Sequence, residues 1–241
     1  MKSWFRRLRR GSAPLAATVA AAKLDTAQAF QAAFAQHLAA CEWAPHPDYS
    51  VFTQYDHEYY TRRRAEFEHK YRCFYAVART LAPASIIELG THAGSSADAY
   101  LSGAPGARYL GLDVFGEHAV SSYDGKPWRP YELATRLFEA RGFSNWELMQ
   151  VDLRTLTRLP RAAQCVVVDA AHDFDNAYAD LQLALSADPE FIFADDAADP
   201  NDAQPAIERF LAELPPGRLA WQAPVDYTGG GLVMRLHRPG P

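Results

Sequence analysis

Hydrophobic and polar positions fall into two regimes along the chain. From residue 85 onward, short apolar runs recur at 86–89, 109–112, 146–151, 165–168, 191–194, 219–222 and 232–236. Short runs of this kind suit strands of a parallel sheet covered on both faces. Between them, 95–101, 130–141, 176–186 and 204–214 read as helices. Alternating strands and helices imply a doubly wound α/β sheet. Only residues 223–231 separate the last two runs, too few for a crossover helix, so those strands should pair antiparallel. The pattern predicts a Rossmann-like, seven-stranded doubly wound sheet that ends in an antiparallel hairpin.

Upstream the pattern is helical. Residues 14–42 are rich in Ala, Gln and Leu and predict one or two helices. A looser stretch from Trp43 to about Tyr60 carries Pro45, Pro47 and several aromatics. Residues 62–81 are helical again: Phe67, Tyr71, Phe74, Tyr75 and Ala78 recur at helical spacing, and Pro83 stops the helix. The expected division is an N-terminal helical and loop extension, 1–64, and an α/β domain, 65–241.

Composition narrows the class without setting the chemistry. The chain has 241 residues, 49% hydrophobic and 22% charged, with a formal net charge of −5. That suits a globular protein with one main domain and offers no basic excess to neutralise nucleic-acid phosphates. Cys41, Cys73 and Cys165 are scattered without metal-type spacing, which fits a reducing cytoplasm. The start, MKSWFRRLRR, is basic, but the Ala-rich run after it is short and ends at Lys23 and Asp25, unlike a secretory signal. Trp4, Phe5 and Leu8 among four arginines could form an interfacial helix or a solvated terminus. No stretch reaches membrane-spanning length, so stable membrane insertion is not expected.

The chemistry lies at the strand ends. The first strand closes in IIELGTHAGSSA, with Glu88, Gly90 and Gly94 in an E-x-G-x-x-x-G arrangement. Gly90 permits a tight turn, and Gly94 should let backbone approach a ligand where the next helix begins. Asp113, at the end of the second strand, lies about twenty residues beyond the glycine loop, where a carboxylate can bind two ribose hydroxyls. Asp152 ends the third strand, where its side chain or the adjoining backbone could meet an adenine ring; Asp there also serves turns. This ordered set resembles the class I S-adenosylmethionine (SAM)-dependent methyltransferases over roughly 65–241. The resemblance implies SAM as cofactor. SAM has no phosphate to seat on a helix N-terminus, but it has an ammonium group that Glu88 can help satisfy. Thr91, Ser95 and Ser96 complete the expected cofactor-binding set.

The fourth and fifth strands close in CVVVDAAHDF and FIFADDAADP. Asp169, Asp195 and Asp196 should converge at the carboxyl edge of the sheet, where ligands bind in such folds. Gathered carboxylates repel one another unless a cation is present, and oxygen-only ligands suit Mg²⁺. Asp195 and Asp196 could instead cap the next helix or turn. His172, three residues beyond Asp169, can accept a hydroxyl proton near neutral pH. This second constellation resembles the metal-dependent small-molecule O-methyltransferases of the macrolide-sugar branch (mycinamicin and macrocin type). It implies metal roles for Asp169, Asp195 and Asp196 and a base role for His172. Where many relatives read Asp-Gly-Asp-His, this chain reads Asp169-Ala170-Ala171-His172, without the second carboxylate.

The expected activity is methyl transfer from SAM to a hydroxyl of a sugar or other small natural-product acceptor. The connection 115–129, with Tyr123 and Trp128, and the cluster Tyr55, His57, Tyr59 and Tyr60 are candidate acceptor walls; packing roles serve equally. A homo-oligomer is compatible with the sequence. Rival readings are a nicotinamide-dependent oxidoreductase, disfavoured by the glycine spacing, and a non-catalytic binding protein on the same fold.

Overall fold

The computed structural model describes residues 24–46, 57–116, 129–170, 173–198, 200 and 203–237; side chains of 57–61 lie outside this description. Seven strands form one sheet: β1 (Ser85–Leu89), β2 (Arg108–Asp113), β3 (Trp146–Gln150), β4 (Cys165–Val168), β5 (Phe191–Asp195), β6 (Leu219–Val225) and β7 (Gly231–Leu236). Their order is β3-β2-β1-β4-β5-β7-β6. The first five pair in parallel, and β7 runs antiparallel between β5 and β6. The expected fold class is therefore the observed one, terminal hairpin included.

Among the described residues six α-helices cover the sheet: α1 (Ala27–Ala39), α2 (His57–Leu81), α3 (Ser95–Gly103), α4 (Pro130–Arg141), α5 (Phe174–Leu185) and α6 (Gln204–Glu213). Residues of α1 to α4 share one buried cluster with Ile86, Val167, Phe193 and Val233; those of α5 and α6 share the other with Ile87, Val166, Ile192 and Met234. The strand residues alternate between the clusters because successive side chains leave a strand on opposite faces. Helix ends follow local chemistry. Thr26 and Asp173 cap α1 and α5 by accepting from the amides of Ala29 and Asn176, both at 3.1 Å. Gly142, at φ 73°, ends α4 in a left-handed turn.

The sequence predicts a helix start at 62; α2 begins at His57, inside the stretch read as loose. The expected division at 64/65 thus falls within one helix. Ahead of it, α1 packs on β6: Phe30, fully buried, meets Trp221 at 5.4 Å between ring centroids. Trp221 Nε1 and Arg235 donate to Leu24 O at 2.8 and 2.5 Å. These contacts explain why the sheet-edge strand β6 alternates, with Trp221, Ala223 and Val225 buried under α1. No helix among the described residues is long and apolar enough to cross a membrane.

Candidate functional site

Register brings the predicted site residues to one edge. Leu89, Val168 and Ala194 lie side by side in β1, β4 and β5. The next residues, Gly90, Asp169 and Asp195, therefore emerge together at the carboxyl end of the sheet. Gly90 has φ 93°, and a Cβ there would lie 2.1 Å from Asp169 O, so both backbone conformation and space demand glycine. Gly94 precedes the first residue of α3. It has φ 83° and caps α3, and an added Cβ would meet the Phe138 ring at 2.9 Å. Its missing side chain makes room for the Phe138 ring of α4. Ser95 is half-buried and Ser96 buried in the first turn of α3.

A cleft of about 260 Å³ opens beside this edge, lined by Gly90, Asp113, Asp152, Arg154, Asn176 and Asp180 among others. Its volume is near the lower end of small-molecule sites, roughly 300–1,000 Å³. Asp113 organises it: Oδ2 accepts from His92 N at 2.8 Å and Oδ1 from Phe115 N at 2.7 Å. One carboxylate thus ties the β1–α3 loop to the chain after β2. Each oxygen offers two lone pairs, so acceptor capacity remains for a ligand hydroxyl. Asp152 has a different employment. It caps the short turn 153–155 and takes Arg154 in a fork, Nε at 2.9 Å and NH2 at 2.7 Å, which holds its carboxyl below the usual range. Asp180 is buried on α5, and burial, with Asp173 adding to it, pushes its pKa up to about 6.

Glu88 does not line this cleft. Strand alternation places it on the opposite face from Ile87 and Leu89, fully buried, with Thr91 Oγ1 3.0 Å from Tyr109 OH beside it. The Tyr109 hydroxyl donates to Glu88 Oε2, while Oε1 is buried without a hydrogen-bond partner. Burial pushes its pKa up to about 7, against the pull of the neighbouring Ser96, Tyr109 and Thr91 hydroxyls. A buried carboxylate with one unsatisfied oxygen suits a cationic group.

The three predicted acidic residues do converge. Asp169, Asp195 and Asp196 each offer an oxygen, all within 4.8 Å of one another. Asp195 is 3% exposed, and Asp196 sits at φ 51° under the β6–β7 turn, where a Cβ on Gly229 would lie 2.2 Å from its Oδ1. Sequence reasoning missed two participants. Lys70 of α2 pairs through Nζ with Asp195 Oδ2, and Tyr227 OH donates to Asp195 Oδ1 at 2.5 Å. Lys70 also lies over the Phe74 and Tyr227 rings, 5.4 and 5.8 Å from their centroids. Burial alone would lower the Lys70 pKa, but the Asp169 and Asp195 carboxylates outweigh it and raise it. Burial, with Asp195 next to it, pushes Asp169 well above the usual carboxylate range. A signal for Lys70 was present: it lies four positions before Phe74 and so shares the apolar stripe of α2, where a charge needs a partner.

Spacing and donor type of this trio fit a hard divalent cation, which takes carboxylate oxygens. In the same geometry both oxygens of Asp195 already hold partners. His172 lies outside the described residues, as do Tyr55, Tyr123 and Trp128 and the side chains of His57, Tyr59 and Tyr60.

No protein-family model and no curated protein matches the chain. Solved structures do. The O-methyltransferase TomG from Streptomyces achromogenes, involved in tomaymycin synthesis and solved with SAM, is 17% identical, with 87% of this chain and 98% of that one covered and a TM-score of 0.54. The O-methyltransferase from Bacillus cereus, in complex with S-adenosylhomocysteine (SAH), is 16% identical over 87% of this chain and 100% of that one, at 0.52. SAH-bound PaMTH1, a methyltransferase from Podospora anserina, is 19% identical over 83% and 93%, also at 0.52. The chain thus has the Rossmann-like fold of class I methyltransferases.

Proposed function

We propose that this chain is a SAM-dependent O-methyltransferase acting on a hydroxyl of a small-molecule acceptor, in the class of sugars and other natural products. The observation that carries the reading is the adjacency of two things at one sheet edge. A cleft is organised by Asp113 at the end of β2, and an acidic cluster sits at the ends of β4 and β5. The solved neighbours that share the fold and hold SAM or SAH support the choice of cofactor.

In this reading Asp113 binds the ribose hydroxyls, and the unsatisfied Oε1 of Glu88 supplies an acceptor for the ammonium group. Asn176 and Asp180 border the same cleft from α5. The acceptor hydroxyl loses its proton to His172, and its oxygen displaces the methyl group from the sulfonium in line, releasing SAH. One C–O bond forms as one C–S bond breaks, and the sulfonium charge is cancelled. Asp169, Asp195 and Asp196 would hold a divalent cation, Mg²⁺ in the first instance, which would lower the pKa of a bound hydroxyl.

The test is calorimetric titration of the full chain with SAM, NAD and NADP, with and without Mg²⁺. The reading requires SAM binding and no nicotinamide binding. Binding of NAD or NADP alone would replace it with the oxidoreductase reading, and binding of none would favour a non-catalytic role.

A further inference from the structure

The acidic cluster already contains a cation of the chain's own. Three carboxylates whose oxygens lie within 4.8 Å of one another need compensating positive charge. The Lys70 ammonium supplies it through its contact with Asp195 Oδ2. It is not a loose surface pair. The Asp195 side chain is 1% exposed and that of Lys70 18%. The second Asp195 oxygen is occupied by Tyr227 OH. The Lys70 stem is fixed by α2, one turn before Phe74, whose fully buried ring packs on Tyr100, Phe193 and Tyr227 at 5.1, 5.2 and 5.5 Å. The ammonium is therefore held between an aromatic floor and the carboxylates.

We propose that Lys70 is the resident cation of the Asp169–Asp195–Asp196 cluster and that a divalent cation enters only by displacing it. The divalent-cation half rests on the reading of this cluster given above. An ammonium and a divalent ion on Asp195 Oδ2 would sit within a few ångströms of each other and repel strongly. They are like charges, and both draw on the one carboxylate of Asp195. Lys70 has a way out: its side chain is long, flexible and still partly exposed, so Nζ can swing to solvent while α2 stays packed. Lys70 thereby acts as a positioning residue with two consequences. Without metal it keeps the trio together, and with metal present it sets the concentration at which the ion binds.

The experiment is direct titration of Mn²⁺ into the full-length protein, by calorimetry or by the loss of the free-ion EPR signal, without SAM or acceptor. Wild type, Lys70→Met and Lys70→Arg are compared. Lys70→Met removes the competing charge, so its Mn²⁺ affinity should exceed that of wild type by about tenfold or more, one close charge–charge interaction being worth at least that factor. Lys70→Arg keeps the charge and should stay near wild type. Lys70→Met/Asp195→Asn should lose the gain, which would place the ion on Asp195. If Lys70→Met does not fold, Lys70→Gln, which retains a donor to Asp195, takes its place. Mn²⁺ binding by the neutral variant no tighter than wild type overturns the proposal. SAM titration of the same samples separates the two ideas: lost SAM binding in wild type sinks the methyltransferase reading, whereas the Lys70 proposal stands or falls on Mn²⁺ alone.

Discussion

Glu88→Gln tests whether a buried acid at the heart of the sheet is tuned for a ligand at a cost to the fold. Glu88 is fully buried, and its pKa stands at about 7 against an ordinary 4.5. In the unfolded chain it ionises near 4.5; in the folded chain it keeps its proton until about pH 7. Between those values the folded state binds more protons, so stability falls as pH rises. Below pH 4.5 both states are protonated and Glu88 costs nothing; above about 7 the loss is complete. Each pH unit of the gap is worth about 1.4 kcal/mol, so the full loss is about 3 kcal/mol. In a domain of this size that corresponds to roughly 6–12 °C in Tm. Glutamine does not ionise. The stability of wild type minus that of Glu88→Gln should therefore drop by about 3 kcal/mol between pH 4.5 and pH 8. Using the difference removes both the packing cost of the amide and the other buried acids, such as Asp180, which titrate in both proteins. Urea unfolding at several pH values is the assay. Parallel stability–pH curves for the two proteins would refute the reasoning, since Glu88 would then titrate as an ordinary carboxyl. SAM should bind Glu88→Gln more weakly, and the deficit should grow as pH rises through 7, where wild type gains its charge.

Asp113→Ala should weaken SAM binding by about 1–3 kcal/mol, the usual consequence of unpaired ligand polar groups, and calorimetry on a protein shown to be folded checks it; unchanged affinity would remove Asp113 from the cofactor site. Arg141→Met should destabilise the fold by about 3–5 kcal/mol, because it strands Asp98, fully buried and paired to Arg141 NH2 at 2.7 Å, as an uncompensated charge. Denaturant unfolding measures that loss, and Asp98→Asn in the same chain should recover part of it. His172→Ala should leave SAM binding intact and lower turnover about 10²–10⁴-fold; the rate of wild type should rise with pH through the imidazole range, and the variant should lose that limb. An unchanged pH–rate profile would remove His172 as the base.

What the sequence made legible follows from what is local. Strand and helix positions came from apolar runs and their spacing, and Asp113 came from its distance beyond the glycine loop. Parallel register then did the rest, since equal strand phases carry Gly90, Asp169 and Asp195 to one edge without further signal. What escaped depends on contacts between distant parts of the chain. No local pattern announces the approach of the Phe138 ring to Gly94. Glu88 shows the limit most clearly. The motif marks the residue, while alternation along β1 sets its side chain on the face of Tyr109 and α3, so that its burial and its unpartnered Oε1 emerge only in the folded chain. A short motif fixes which residues lie near the sheet edge and leaves strand parity to decide which face each side chain takes. Lys70 is the complementary case. It belongs to no motif, and it meets Asp195 across 125 residues of chain because the apolar stripe of α2 must lie on the sheet. A lysine inside that stripe is costly unless a carboxylate awaits it. Charges on buried helical faces therefore point to site partners that motif reading alone does not find.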